Sequence, residues 1–110
     1  MEQVHNYNLF VGLNDKDTKH QKIATVEAFK MIENVCIEKA GGGTIFEGRG
    51  VYCHKDGTPV IENSFQVMLF GITEATRDEI IRYLLVALNQ ESIAFEINDK
   101  KSGFISLEDL

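Results

Sequence analysis

The chain has little cysteine and no paired spacing of it. Cys36 and Cys53 form no CxxC. Two reduced, mostly buried thiols are therefore expected, not a disulfide framework. Histidine is also sparse: His5, His20 and His54 are scattered, and no pair stands at ligand spacing. No metal and no cofactor is expected. No apolar run approaches the roughly 18–20 residues a membrane span needs. The first residues, MEQVHNYN, lack the basic region and apolar stretch of a signal peptide, so the expected location is the cytoplasm. Basic residues are outnumbered 11 to 17, for a net charge of -6. That balance opposes binding of a nucleic-acid polymer, which needs a clustered basic surface. It leaves room for a small anionic ligand held by one or two arginines. Walker and Rossmann fingerprints are missing. Cys53 and His54 are neighbours in a strand pattern and point to opposite faces, which opposes a nucleophile–base pair.

What is present centres on one hairpin, Thr44 to Phe70. Its turn is Lys55-Asp56-Gly57-Thr58, and Asp-Gly is a strong hairpin signal because glycine takes positive φ at little cost. Pro59 fits the first residue of a strand. In the second arm Ile61, Asn63, Phe65, Val67 and Leu69 alternate with Glu62, Ser64, Gln66 and Met68, the period of a strand with one buried face. Before the hairpin, Tyr7 to Leu13 reads as a central strand with apolar residues on both faces. The loop 14–21 is polar, and is either a solvated connection or a ligand loop. Asp17 or Thr18 can cap the helix that follows. That helix runs from Ile23 to Ala40, with Ile23, Val26, Phe29, Ile32, Val35 and Cys36 as its apolar stripe. Gly41-Gly42-Gly43 ends it.

A second helix spans Thr73 to Asn89, with Ile80, Ile81, Leu84, Leu85 and Leu88 inward. Thr73 or Thr76 is the N-cap, and Asp78 and Arg82 are placed to pair at i,i+4. Ile93 to Ile97 alternates as the last strand. The order strand, helix, strand, strand, helix, strand predicts an α+β, ferredoxin-like βαββαβ domain over residues 1–97, with a C-terminal extension, 98–110. Its four-stranded antiparallel sheet carries two helices on one face. The other face, with Phe10, Met68 and Phe70, and Ile45, Val51 and Cys53 as further candidates, is left for a second copy. A homodimer, or an assembly of dimers such as a hexamer, is expected.

The candidate ligand site is assembled from residue chemistry. Arg49, between Gly48 and Gly50, is either a solvated arginine or a donor fork for phosphate or carboxylate. Lys16 is a second cation. Asn63 and Asn89 offer polar edges, and Phe10 or Phe104 a stacking surface. Glu62 and Glu91 can act as acid or base, but nothing in the sequence singles out either. The residues thus favour a binding protein over an enzyme.

Two resemblances extend this reading. Tyr7 to Gly12, Gly48 to Tyr52 before Asp56-Gly57, Glu62-Asn63-Ser64 and Gln90-Glu91-Ser92 resemble stretches of a group of small uncharacterised bacterial ferredoxin-like domains. That resemblance covers Tyr7 to Ile97 and implies fold. In length, Lys/Asn/Ile/Glu-rich composition and expected oligomerising sheet, the chain also resembles phage anti-Thoeris sponge proteins. This second resemblance implies sequestration of a small nucleotide-like ligand, a cyclic ADP-ribose-type signal or a cyclic oligonucleotide, without cleavage. It also implies a host-cytoplasmic location. The site residues above come from the residue reading, not from the sponges. The expectation is therefore a non-enzymatic binding protein. An isomerase-like or monooxygenase-like ferredoxin-fold enzyme and a protein-interaction module stand as alternatives.

Overall fold

The computed structural model describes residues 2–53, 56–98 and 107–109. The elements are β1 (Val4–Gly12), α1 (Thr25–Val35), β2 (Thr44–Cys53), β3 (Pro59–Thr73), α2 (Glu74–Ala87) and β4 (Ala94–Ile97). A wider π-type turn, Cys36–Ala40, continues α1, and a short 3₁₀ turn occupies Leu107–Asp109. The sheet order is β2-β3-β1-β4, with every neighbouring pair antiparallel. This is the βαββαβ ferredoxin-like arrangement. Among the described residues, no helix is long and apolar enough to cross a membrane.

Alternation in the strands sets the core. Tyr7, Leu9 and Val11 of β1 and Phe65, Val67 and Leu69 of β3 are buried on one face. Ala28, Ile32, Val35 and Cys36 meet them from the first helix, and Ile80, Leu84 and Leu88 from the second. Val26, expected in the stripe, is 62 % exposed. The buried stripe runs through Ala28, Ile32 and Val35, and Val26, two residues before Ala28, lies about 200° round the helix from it and faces solvent. Neither Asp17 nor Thr18 caps this helix; its N-cap position is Ala24, without a side-chain bond. At the other end Gly41 takes φ 76°, the left-handed closure a glycine makes without strain. The second helix is capped by Thr73, whose hydroxyl accepts from the Thr76 amide.

The two helices cover one face. Arg77 pins α2 to the sheet: its guanidinium lies 5.1 Å from the Tyr7 ring centroid and 4.4 Å from that of Phe95. It pairs with Asp78 at 2.7 Å and Glu74 at 3.3 Å. Asp78 is thus engaged by its sequence neighbour, where pairing with Arg82 was expected.

On the open face, the register places Asn8, Phe10 and Gly12 of β1 beside Met68, Gln66 and Ser64 of β3. Thr44, Phe46, Gly48, Gly50 and Tyr52 of β2 share that face. Ile45, Val51 and Cys53 do not: they stand opposite Val67, Ile61 and Pro59, on the helix side. Cys36 is buried, and burial pushes its thiol up to about 11. Cys53, expected to be buried, is exposed, because the hairpin outruns the helices. Its 15-residue β3 extends about 50 Å at roughly 3.3 Å per residue, close to the molecule's 52 Å long axis.

Candidate functional site

At one end of the open face lies a cavity of about 650 Å³, within the range of small-molecule sites. Its floor comes from β1 (Phe10, Gly12) and β3 (Val60, Glu62, Ser64). Arg49, Gly50 and Tyr52 of β2 form one wall. Asn14, Asp15, Lys16 and Lys19 of the β1–α1 loop and Gln90, Glu91, Ser92 and Ala94 around the start of β4 form the other. Gly50 puts no side chain into the depression, and Gly12 leaves room on its floor for the Glu62 side chain.

The polar loop 14–21 is a built wall. Asn14 and Gln21 form a bridge across its base. The Asp15 carboxylate accepts from the amides of Asp17 and Thr18 at 3.0 Å each, and from the Asn89 side chain at 2.8 Å. The Lys16 amide donates to the Asn89 carbonyl at 3.0 Å. Gln90 donates to the Asn14 carbonyl at 2.8 Å. Lys19 closes the turn at φ 64°, and its ammonium donates to the Lys16 carbonyl at 2.6 Å. From the helix side, Asn63 donates to the Gln21 side chain at 2.7 Å, and its carbonyl accepts from Leu13 at 3.0 Å.

These bonds tune Asp15. The Asn89 amide, and next the Thr18 amide, hold its carboxyl at about 2, below the ordinary 3.8, against the opposing effect of burial. A carboxyl depressed by folding stabilises the fold fully above its unfolded value, and that contribution is lost as pH falls through the folded value. The window is therefore about pH 4 down to about 2. In acid titrations followed by circular dichroism, wild type should lose stability across that window, and Asp15→Asn should show a flatter dependence there. Equal slopes would contradict the assigned bonds.

Glu62 is the carboxylate on the cavity floor. Its Oε2 accepts from the Asn14 amide at 2.9 Å. The phenol of Tyr52 faces the same space. Partial burial, followed by the charges of Glu62 and Glu91, pushes it above its ordinary 10. Tyr52 thus stays a hydrogen-bond donor at neutral pH. Lys16, Lys19 and Arg49 add positive charge around the rim. The cavity therefore carries a carboxylate pole, a cationic rim, and the rings of Phe10 and Tyr52. Among the described residues, no cluster of His, Cys, Asp and Glu could hold a metal ion.

Three of the expected site residues, Phe10, Lys16 and Arg49, line this cavity. Arg49 sits at its edge, sharing a face with Asn63 on the helix side of the sheet. Asn63 and Asn89 lie behind the wall, their amides spent on the loop. Phe104 lies outside the described residues. Tyr52, Lys19 and Gly12 were not singled out from the sequence, nor was Glu62 preferred among the acidic residues. Their signal is faint: Gly12 and Gly50 interrupt strands on the face that carries Glu62, and facing glycines mark room for a ligand.

No family model and no curated protein matches the sequence. Similarity appears in solved structures. A phage SAM lyase in complex with S-methyl-5'-thioadenosine is 23% identical, with a TM-score of 0.64, over 90% of this chain and 83% of the lyase chain. The same kind of enzyme in its apo state is 22% identical, with a TM-score of 0.62, over 88% and 81%. CutA from Synechococcus elongatus PCC7942 is 16% identical, with a TM-score of 0.56, over 91% and 80%. These likenesses establish a shared fold. They also overturn the expectation of a non-enzyme: two of these similar structures are of a lyase. The physical reason lies in the register. Glu62 was weighed alone in the sequence, and only the pairing of β2 with β3 puts it on one face with Tyr52, close enough for its charge to act on the phenol.

Proposed function

We propose that this protein is a lyase acting on S-adenosylmethionine, in the setting of phage defence evasion. The observation that carries the reading is the charge layout of the cavity, on a fold shared with a phage SAM lyase. The substrate bears a sulfonium and an ammonium, a carboxylate, and an adenine ring. Glu62 and Glu91 are complementary to the cations, Lys16 and Lys19 to the carboxylate, and Phe10 and Tyr52 to the ring.

Releasing S-methyl-5'-thioadenosine breaks the bond between sulfur and Cγ of the methionine chain. The electron pair of that bond stays on sulfur, which becomes a neutral thioether. The four-carbon fragment closes on its own carboxylate oxygen, so one C–O bond replaces one C–S bond. No water, metal or cofactor enters the balance. The site's task is to hold the chain bent, carboxylate toward carbon, in a partly dry cavity. In the same reading further copies of the chain cover the open face, where Phe10, Phe46 and Phe70 are 42 %, 52 % and 51 % exposed.

The test is incubation of the purified protein with S-adenosylmethionine, with products followed by mass spectrometry. Appearance of S-methyl-5'-thioadenosine with an equimolar four-carbon lactone is expected. Substrate left intact at micromolar enzyme would refute the reading. Native mass spectrometry of the same sample gives the number of copies.

A further inference from the structure

Gly12 stands in the middle of the site's floor, at the end of β1 and opposite Ser64. A methyl group built there would run into Oε1 of Glu62 and would stand 2.6 Å from its Cδ and 2.8 Å from its Oε2. The Glu62 carboxylate therefore occupies the volume a side chain at position 12 would fill. Its Oε2 is tied there by the Asn14 amide, two residues further along the same strand end. The other open-face glycines behave differently. A methyl at Gly48 would meet only the Ser64 hydroxyl at 3.7 Å, and one at Gly50 the Glu62 Cγ at 3.6 Å, both ordinary contacts. Gly12 is not in a left-handed conformation, so its backbone does not need glycine. What needs glycine is the neighbouring carboxylate.

We propose that Gly12 is a positioning residue: its bare Cα and the Asn14 amide form a seat that holds the Glu62 carboxylate against the cavity floor. The role of that carboxylate in substrate binding rests on the lyase reading; the seat itself does not. Glu62 can yield, since the clash involves the far end of a flexible side chain. Alanine at position 12 should thus leave the fold in place while expelling the carboxylate into the cavity or out to solvent. The raised phenol of Tyr52, which owes part of its shift to Glu62, is consistent with a carboxylate kept facing it.

The experiment is a pH titration of amide chemical shifts by NMR in wild type, Gly12→Ala and Glu62→Asp. An amide bonded to a carboxylate shifts as that carboxylate titrates. The Asn14 amide should move with pH in wild type and lose that movement in Gly12→Ala. Glu62→Asp, one methylene short of the amide, keeps Gly12 and should also lose it, which covers the case in which Gly12→Ala does not fold. Where wild type turns over S-adenosylmethionine, Gly12→Ala should lower kcat/KM about 10- to 100-fold. Gly12→Ala/Glu62→Gln should then be no worse than Glu62→Gln alone. An Asn14 amide that still follows pH in either variant, or a Gly12→Ala/Glu62→Gln loss equal to the product of the single losses, would overturn the seat. If wild type shows no turnover, the lyase reading fails and the amide titration alone decides the seat.

Discussion

Glu62→Gln is expected to lower kcat/KM for cleavage of S-adenosylmethionine by about 100-fold, with little change in melting temperature. Glutamine preserves the shape of the side chain, and its carbonyl can still accept from the Asn14 amide, which now stands 2.9 Å from Oε2. What is lost is the negative charge. A hydrogen bond to a charged group contributes about 1.5–3 kcal/mol, and each tenfold in rate is about 1.4 kcal/mol, so about 100-fold is the scale. Most of the loss should appear in KM. The sulfonium loses its charge as the C–S bond breaks, so a carboxylate facing it favours the bound substrate at least as much as the transition state. Steady-state kinetics on the folded variant checks this. Unchanged kcat/KM would remove Glu62 from the site, and a loss confined to kcat would mean that it acts on the bond-breaking step instead.

Phe65→Ala should have the largest effect on stability, about 3–5 kcal/mol. Phe65 is 2% exposed and stands at the centre of β3, paired on one side with Val11 and on the other with Glu47. Its ring packs on Phe29 with centroids 5.9 Å apart, so truncation removes the main contact between α1 and the sheet at that level. A domain of this size is stable by about 5–15 kcal/mol, so the variant should unfold at a much lower urea concentration, or fail to accumulate folded. The site should suffer with it, since Glu62 and the Asn63 carbonyl that holds Leu13 lie three and two residues up the same strand. Urea titration by circular dichroism measures the shift. A loss under about 1 kcal/mol would mean that the core repacks around the gap.

The elements were legible because periodicity is local. Alternation in Ile61 to Leu69 marked the buried face of β3, and Phe65, Val67 and Leu69 are buried as that pattern requires. The helical stripe of α2 placed Ile80, Leu84 and Leu88 inward, as found. Where local signals competed, tertiary context decided. Asp17 and Thr18 have the chemistry of N-caps, but the Asp17 carboxylate accepts from the Asn89 side chain and the Thr18 hydroxyl is engaged with Asp15 and His20, so both side chains serve the loop and not α1. Asn63 and Asn89 were chosen as polar edges of a ligand site. Asn63 carries the only polar side chain in its alternating row, and its partner, Gln21, is 42 residues away, beyond what spacing reveals.

The cavity was the least legible part. Gly12, Tyr52 and Glu62 are separated by tens of residues in sequence or by a turn, and each is unremarkable where it stands. The amino-acid sequence by itself determined the number and type of elements, their order, and the buried face of β3, because those follow from side-chain spacing along one chain; for β2 it did not, since Ile45, Val51 and Cys53 were expected on the open face and stand on the helix side. Only the tertiary structure decided which open-face residues meet. The one-to-one pairing of β2 with β3, and of β3 with β1, sets Tyr52 near Glu62 and lays Glu62 over Gly12. A slip of one residue between β2 and β3 would turn Tyr52 to the face opposite Glu62, and one between β3 and β1 would turn Gly12 away from it.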